Sequence, residues 1–362
     1  MKLALIVGAR PNFVKIAALM AELQDYPEVE TCLIHTGQHF DEAMSGAFFK
    51  NLDIPTPDVN LGVKSASHTT QTAEIMLKLE AVFSQEAPTL VVVVGDVNST
   101  LAGTVVAVKM GIPVAHVEAG LRSFDRTMPE EINRVLTDAV SDLLFTTEPS
   151  ANEHLRQEGI PEDRIHHVGN LMIDTLFRFR ERARESLIID TLGLVPGRFV
   201  VLTLHRPSNV DDAAAFERIV RAIAPIQEDC PIIFPVHPRT HRQLARSKAV
   251  LDERRGLKLS DPLPYLDFIH LMANARCVLT DSGGIQEETT ALGIPCLTLR
   301  TTTERPITVT HGTNRIVGTD AEKISEAWHE IVGGRWPTGR LPELWDGKAA
   351  SRIVRKIRHR YA

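Results

Sequence analysis

Apolar residues in this chain gather into short unbroken runs separated by stretches of helical period. The runs at residues 3–7, 89–94, 112–117 and 143–146 are too short for helices and too continuous for strands with one wet face. Strands of that kind are buried on both sides and belong to parallel sheets covered by helices. Between the first two, Phe13, Ile16, Ala17 and Met20 recur at i, i+3, i+4 and i+7, the spacing of one helix face. The alternation pauses at the charged helical stretch HHVGNLMIDTLFRFRERARES and the turn LGLVPG. It restarts with FVVLTLH, PIIFPVHP, LKLSDPL, CVLTDSGG and IPCLTLR. The pattern predicts an α/β chain of two doubly wound domains, 1–170 and 171–345, joined near residues 170–198. In the tail SRIVRKIRHRYA, Ile353, Val354 and Ile357 sit at helical spacing, which predicts an amphipathic helix docked on the protein over residues 346–362.

Composition narrows the function without naming it. At 362 residues, 43% hydrophobic and 24% charged, the chain has room for two cores. A net charge of −6 with scattered lysines and arginines excludes a phosphate-backbone partner, so no nucleic acid is expected. The opening MKLALIVGARPNF carries an apolar run too short for a signal sequence or a membrane span and reads as a first strand, with no membrane partner expected. Cys32, Cys230, Cys277 and Cys296 lie in or beside apolar runs, without metal-like pairing or disulfide-like spacing. They read as buried free thiols of a cytoplasmic chain.

Ligands of open parallel sheets sit beyond the carboxyl ends of the strands, where strand order reverses. Here those ends are polar: GARPNFVK, TGQH, GDVNST and EAGLR in the first half; HRPSN, HPRT, DSGGIQEE and RTTTERP in the second. Two domains facing each other would line a cleft with them. In TDSGGIQEE the strand is expected to end at Leu279, with Ser282, Gly283 and Gly284 as the turn and a helix from Ile285. That element is either a tight turn or an anion cradle of main-chain N–H groups at a helix N-terminus. Glu288, one turn into that helix, is placed to accept from sugar hydroxyls. Arg10 is expected in the first loop and Lys15 on the flank of the following helix, two cations that suit a pyrophosphate. His237 and His241 stand at i, i+4, but Pro238 argues against a helix there and no HExxH occurs, so no metal is expected.

Asp96 and Glu118 follow apolar strands that should be neighbours, where burial and mutual repulsion raise carboxyl pKa values towards working pH. Glu130 and Glu131 open the helix PEEINRVLTDAV, and one of them is expected to serve the helix terminus. Arg122 and Arg134 are placed to hold the intervening loop by charge-assisted hydrogen bonds.

The stretches GARPNFVKIAALM, TGQHFDEAMSGAFF, VVVVGDVNSTLAG, HVEAGLRSFDRTMPEEINR, HVGN, LTLHRP, TDSGGIQEE and TERP, in this order, resemble the non-hydrolysing UDP-N-acetylglucosamine 2-epimerases of bacteria and archaea, from residue 2 to about 318. The resemblance implies a GT-B-like fold of two Rossmann-like domains, the second holding most of the nucleotide, and a homodimer. It implies interconversion of UDP-GlcNAc and UDP-ManNAc without a cofactor, by anti elimination of UDP to 2-acetamidoglucal and re-addition. Carried over by motif, Asp96, Glu118 and Glu130 are acid/base candidates, with His205 a further catalytic or phosphate-contacting group. Arg10, Lys15, His205, Ser282, Gly283, Gly284 and Arg305 match the family's UDP contacts, with Glu288 on the ribose and Phe268 beside the uracil.

The departures from the commonest family pattern bear on the sugar. GARPN stands where GTRPE is usual, ERPI with Ile307 stands for ERPE, and the loop before PEE differs. Relatives acting on a diacetamido uronic acid sugar nucleotide share GARP and stretches similar to RMPEEINR. Members activated by their own substrate carry arginine at the position of Thr69, so such activation is not implied. A hydrolysing 2-epimerase, a GT-B glycosyltransferase and a nucleotide-sugar binding module remain as alternatives.

Overall fold

A computed structural model describes residues 1–37, 49–236, 240 and 256–361. The chain divides into two compact units, one of Met1–Arg178 with Glu343–Ala362 and one of Phe179–Pro342.

In the first unit the described strands are β1 (Lys2–Val7), β2 (Glu30–His35), β3 (Val59–Asn60), β4 (Leu90–Val94), β5 (Val114–Ala119), β6 (Leu143–Thr146) and β7 (Ile165–His167). They form one parallel sheet in the order β3-β2-β1-β4-β5-β6-β7. The order reverses between β1 and β4, the place where a doubly wound sheet opens a crevice. Ala4, Ile6, Val91 and Val93 belong to one buried cluster with Ile75, Leu79 and Phe83 of the helix His68–Glu86.

β5 differs from the expected run in both ends. It begins at Val114, because Pro113 has no N–H to give the ladder, and it continues through Glu118 to Ala119. Its pairing with β6 shifts register between Val117 and Ala119, so Glu118 is the extra residue of a bulge and sits inside the strand rather than after it.

The chain end returns to this unit. The helix Ala349–Tyr361 packs against the helix Arg10–Leu23 and buries Ile353, Val354 and Ile357. Trp345 just before it is fully buried and donates from Nε1 to the Thr147 carbonyl at 2.9 Å. Asp174 accepts from the Ala350 amide at 2.8 Å, and burial pushes its carboxyl up to about 6.

The second unit repeats the topology. β8 (Val200–Thr203), β9 (Ile232–Pro235), β10 (Leu257–Ser260), β11 (Cys277–Thr280), β12 (Cys296–Thr298) and β13 (Asn314–Ile316) form a parallel sheet in the order β10-β9-β8-β11-β12-β13, reversing between β8 and β11. Successive β8 residues enter opposite cores. Val200 and Leu202 pack with Phe216, Ile223 and Trp328, whereas Phe199 and Val201 pack with Leu271 and Met272. A strand buried on both faces is what unbroken apolar runs require.

Three of the four cysteines are buried and Cys230 is half-buried. Burial pushes the thiols of Cys32 and Cys230 up to about 11 and that of Cys296 to about 12, so thiolate chemistry is suppressed. Among the described residues no helix is long and apolar enough to cross a membrane.

Candidate functional site

In the first unit the polar groups gather at the ends of β1, β4 and β5. The helix after β1 begins at Arg10, one residue past the N-cap Ala9, so Arg10 stands in the first turn rather than in the loop. Pro11 fits there because the first-turn amides have no partner inside the helix. Asn12, fully inside, accepts from the Gly8 and Ala9 amides at 3.2 and 3.0 Å and donates to the Val94 carbonyl at 2.8 Å. It therefore pins the end of β1 to the end of β4. Gly8 is required by contact: a Cβ there would lie 2.1 Å from Ser99 Oγ. Arg10 is exposed, whereas Lys15, one turn further on, is only 6% exposed.

Lys15 Nζ lies 2.5 Å from Glu118 Oε2, and both side chains are buried. Glu118 has φ +72°, a left-handed backbone conformation that a residue with a side chain seldom adopts. The bulge enforces it and turns the carboxylate out of the strand's alternation. Backbone strain of this kind costs about 1–3 kcal/mol and is kept where the surrounding structure over-determines it. Asp96, two residues beyond β4, meets Arg134, whose Nε donates to Oδ2 at 3.0 Å while Nη2 lies 2.9 Å away. Asn133 Nδ2 donates to the Asp96 carbonyl at 2.8 Å. Asp96 and Glu118 thus each pair with a cation.

The adjacent glutamates divide their work. Glu131 is buried and accepts from Ser123 N and Oγ at 2.9 Å, from Phe124 N at 3.0 Å and from Arg134 Nη1. It is the loop-holding member of the pair. Glu130, in the first turn of the helix Pro129–Val140, stays partly exposed. Arg122 holds the other side of the loop. It donates to both Glu158 oxygens at 2.7 and 2.6 Å, and its Nη1 lies 2.7 Å from Asp138 Oδ2. The many opposed charges after β5 are therefore a set of paired, mostly buried bonds that give an irregular loop one conformation.

In the second unit, Asp281 is the residue that the sequence reading did not single out. It is fully buried after β11 and accepts from the His205 amide at 3.1 Å, the Arg206 amide at 3.0 Å and Asn209 Nδ2 at 3.1 Å. His205 Nδ1 lies 2.9 Å from its Oδ1, and the His205 side chain is 41% exposed. Burial by itself would push the Asp281 carboxyl up; the His205 ring, the Arg206 amide and Asn209 outweigh it and hold the group below the ordinary carboxylate range. The signal was present in TDSGG, where an acid directly follows a buried strand.

β11 runs to Thr280 and the next helix is Gly283–Leu292, so both glycines belong to the helix's first turn instead of a preceding turn. Ser282 is the N-cap, and its amide donates to Thr280 Oγ1 at 3.0 Å. A Cβ on Gly283 would stand 2.7 Å from Glu304 Oε1, so a side chain there would have to displace a carboxylate already paired with Arg300. Arg305 is buried with Nε 2.8 Å from Glu287 Oε1, and Glu304 pairs with Arg300 at 2.8 Å and lies 3.4 Å from Arg206. Glu288 is buried and accepts from Tyr265 Oη at 2.8 Å. Phe268 is half-buried against the cluster that contains Leu271 and Met272. Ser282, Gly283, Gly284, Glu287, Glu288, Glu304 and Arg305 thus share one helix and the loop beside it.

His237, Pro238 and His241, together with Gln38 and His39 of TGQH, lie outside the described residues. Among the described residues no group of three or more His, Cys, Asp or Glu side chains is arranged to hold a metal ion.

The model of the family described as UDP-N-acetylglucosamine 2-epimerase matches residues 21–358. The UDP-N-acetylglucosamine 2-epimerase of Methanocaldococcus jannaschii is 42% identical over 362 residues, covering 98% of each chain. The UDP-2,3-diacetamido-2,3-dideoxy-D-glucuronate 2-epimerase of Pseudomonas aeruginosa is 41% identical over 363 residues, again 98% of each. The crystal structure of the M. jannaschii enzyme in complex with UDP-GlcNAc and UDP superposes with a TM-score of 0.93 at 41% identity, covering 99% of this chain and 100% of that one. A family model matching residues 21–358 and relatives more than 40% identical over nearly the whole chain show that this chain belongs to the UDP-N-acetylglucosamine 2-epimerase family.

Proposed function

We propose that the chain is a non-hydrolysing epimerase that interconverts UDP-GlcNAc and UDP-ManNAc by inverting C2 of the sugar. A carboxylate takes the proton from C2 as the C1–O bond to UDP breaks, leaving 2-acetamidoglucal and UDP. A second acid returns a proton to C2 on the opposite face, and a UDP phosphate oxygen re-forms the bond to C1. Asp96, Glu118 and Glu130 are the acid/base set. His205, Arg10, Lys15, Arg305, Ser282 and the amides of Gly283 and Gly284 meet the diphosphate as its charge grows, with Glu288 on the ribose and Phe268 beside the uracil. Fixed donors of this kind stabilise developing charge without reorganising, each worth on the order of 10²-fold in rate.

The observation that carries the reading is Glu118: a carboxylate on a strained bulge, facing Lys15, at the end of a strand paired to the one that leads into Asp96. A buried acid held at backbone cost serves chemistry better than packing. Incubation with UDP-GlcNAc in deuterium oxide is expected to label C2 of both epimers; epimerised product with unlabelled C2 would overturn the mechanism. Free ManNAc with UDP in place of UDP-ManNAc would identify a hydrolysing enzyme. Near-equal identity to the diacetamido-glucuronate enzyme favours one second reading, a UDP-diacetamido uronic acid substrate, and the same experiment run on that sugar decides between them. The working form we propose is a cytoplasmic homodimer.

A further inference from the structure

A histidine with no part in the proposed chemistry lies fully buried in β5, two residues before Glu118. His116 Nε2 is 2.8 Å from the Gly95 carbonyl, and Nδ1 is 2.6 Å from Asp138 Oδ1. A carbonyl only accepts, so Nε2 carries a proton and donates it there. Asp138, also fully buried, uses its other oxygen to accept from the Gly120 amide at 3.0 Å, and Arg122 Nη1 lies 2.7 Å from that oxygen. Burial alone would raise the Asp138 carboxyl, but His116 and Arg122 hold it below the ordinary range, so it accepts as a carboxylate.

We propose that His116 is a positioning residue for the epimerase reaction, fixing Asp96 through the Gly95 carbonyl and Glu118 through Asp138 and the Gly120 amide. Gly95 immediately precedes Asp96, and Gly120 follows Glu118 by two residues. Both glycines have left-handed backbones, φ +69° and +78°, so the two acid-bearing turns leave regular strand geometry; the Gly95 amide still reaches the Val117 carbonyl of β5 at 3.0 Å, and its own carbonyl is taken by His116. A Cβ on Gly120 would lie 2.4 Å from the Ala151 carbonyl oxygen, and one on Gly95 would lie 3.2 Å from Lys15 Nζ, so neither turn can be stiffened by a side chain of its own. A hydrogen-bonded ring between them supplies the constraint instead. Misplacing a reacting group by about 1 Å costs on the order of 10²-fold in rate, so a bridge that never touches substrate can set turnover.

This inference rests on the proposed acid/base roles, and two amide variants test it. The amide nitrogen of asparagine reaches about where Nδ1 stands, and that of glutamine about where Nε2 stands. His116→Asn therefore keeps the Asp138 bond and loses the Gly95 bond; His116→Gln does the reverse. His116→Asn is expected to lower kcat by about 10²-fold with KM and UDP affinity within about threefold of the parent, and His116→Gln to recover at least tenfold of that loss. Losses that merely track the fall in melting temperature in both variants, or turnover within threefold of the parent in His116→Asn, would overturn the proposal. Crystal structures of the two variants give a readout independent of activity. The Gly95 carbonyl and Asp96 carboxylate should move in the asparagine variant and stay in the glutamine variant, and an unmoved turn in both refutes the idea. Failure of the parent to epimerise any UDP-sugar would instead refute the functional reading, leaving the structural comparison to decide this one.

Discussion

Replacing Asp281 by Asn isolates charge and tautomer from shape. The carboxylate is fully buried and takes three N–H donors besides facing His205 Nδ1. In Asp281→Asn the remaining oxygen can keep the Arg206 amide and Asn209, while the new NH₂ faces His205. Hydrogen bonds to a charged acceptor contribute about 1.5–3 kcal/mol and neutral ones about 0.5–1.5, so weakening two bonds and losing a third costs about 3 kcal/mol. The NH₂ also donates towards Nδ1, leaving no room for a proton there, so the variant's His205 cannot hold both ring protons and present a cation to the diphosphate. Turnover is expected to fall on the order of 10²-fold or more. Urea unfolding followed by tryptophan fluorescence, paired with chromatographic assay of the two epimers, measures both effects. The stability difference has a pH signature. A carboxyl held below its unfolded value contributes stability that is fully present above about pH 4 and is lost as pH falls through the lowered folded value. The parent's advantage over Asp281→Asn should therefore be complete at pH 7 and shrink below pH 4. An equal urea midpoint at pH 7 with turnover within threefold of the parent would refute the reasoning.

The glutamate pair should separate cleanly. Glu131→Gln weakens bonds to Ser123, Phe124 and Arg134 at a buried carboxylate and should cost about 1–3 kcal/mol in urea unfolding, whereas Glu130→Gln, partly exposed, should stay within about 0.5 kcal/mol yet lose turnover. The opposite assignment of stability and rate would show that the two residues have been given each other's roles. Asp174 works against the pH trend of Asp281. Its carboxyl is raised to about 6 by burial, so the stability of the protonated form is fully present below about pH 4 and is lost as pH rises through 6. Chemical denaturation at pH 4 and pH 7.5 should show Asp174→Asn gaining on the parent by roughly 3 kcal/mol across that interval, and a pH-independent difference would remove Asp174 from the account.

Much of this was legible because buried parallel strands write themselves as unbroken apolar runs, and because motif residues sit where those runs stop. The positions of Asp96, His205 and the Ser282-Gly283-Gly284 element follow from that logic. Bounds and partners were harder. Gly-Gly reads locally as a turn, yet both residues are helical, because a glycine's backbone freedom says nothing about what packs against it and Glu304, 21 residues on, explains the bare Cα at Gly283. Glu118 reads as a loop residue, but the bulge that makes it part of β5 depends on its pairing with β6, a contact with no local signature. Mutual repulsion of the acids was the expected electrostatic theme; each instead meets a cation, Arg134 or Lys15, brought in by a helix distant in sequence.

The two units solve one mechanical problem in the same way. Where strand order reverses, the turns after the two diverging strands lack a neighbouring helix between them, and their amides would be left unpaired at the very place a ligand needs them fixed. In the first unit Asn12, beyond β1, takes the Gly8 and Ala9 amides and reaches across to the β4 carbonyl of Val94. In the second, Asp281, beyond β11, takes the His205 and Arg206 amides beyond β8. Each cross-link is a short, fully buried side chain with two acceptor contacts or more, so neither can be replaced by a longer homologue without losing register. The difference in charge follows from what is held: Asn12 accepts from two amides and donates to a carbonyl, which a carboxylate cannot do, whereas Asp281 faces donors alone, the His205 ring among them, and its charge strengthens each of those bonds.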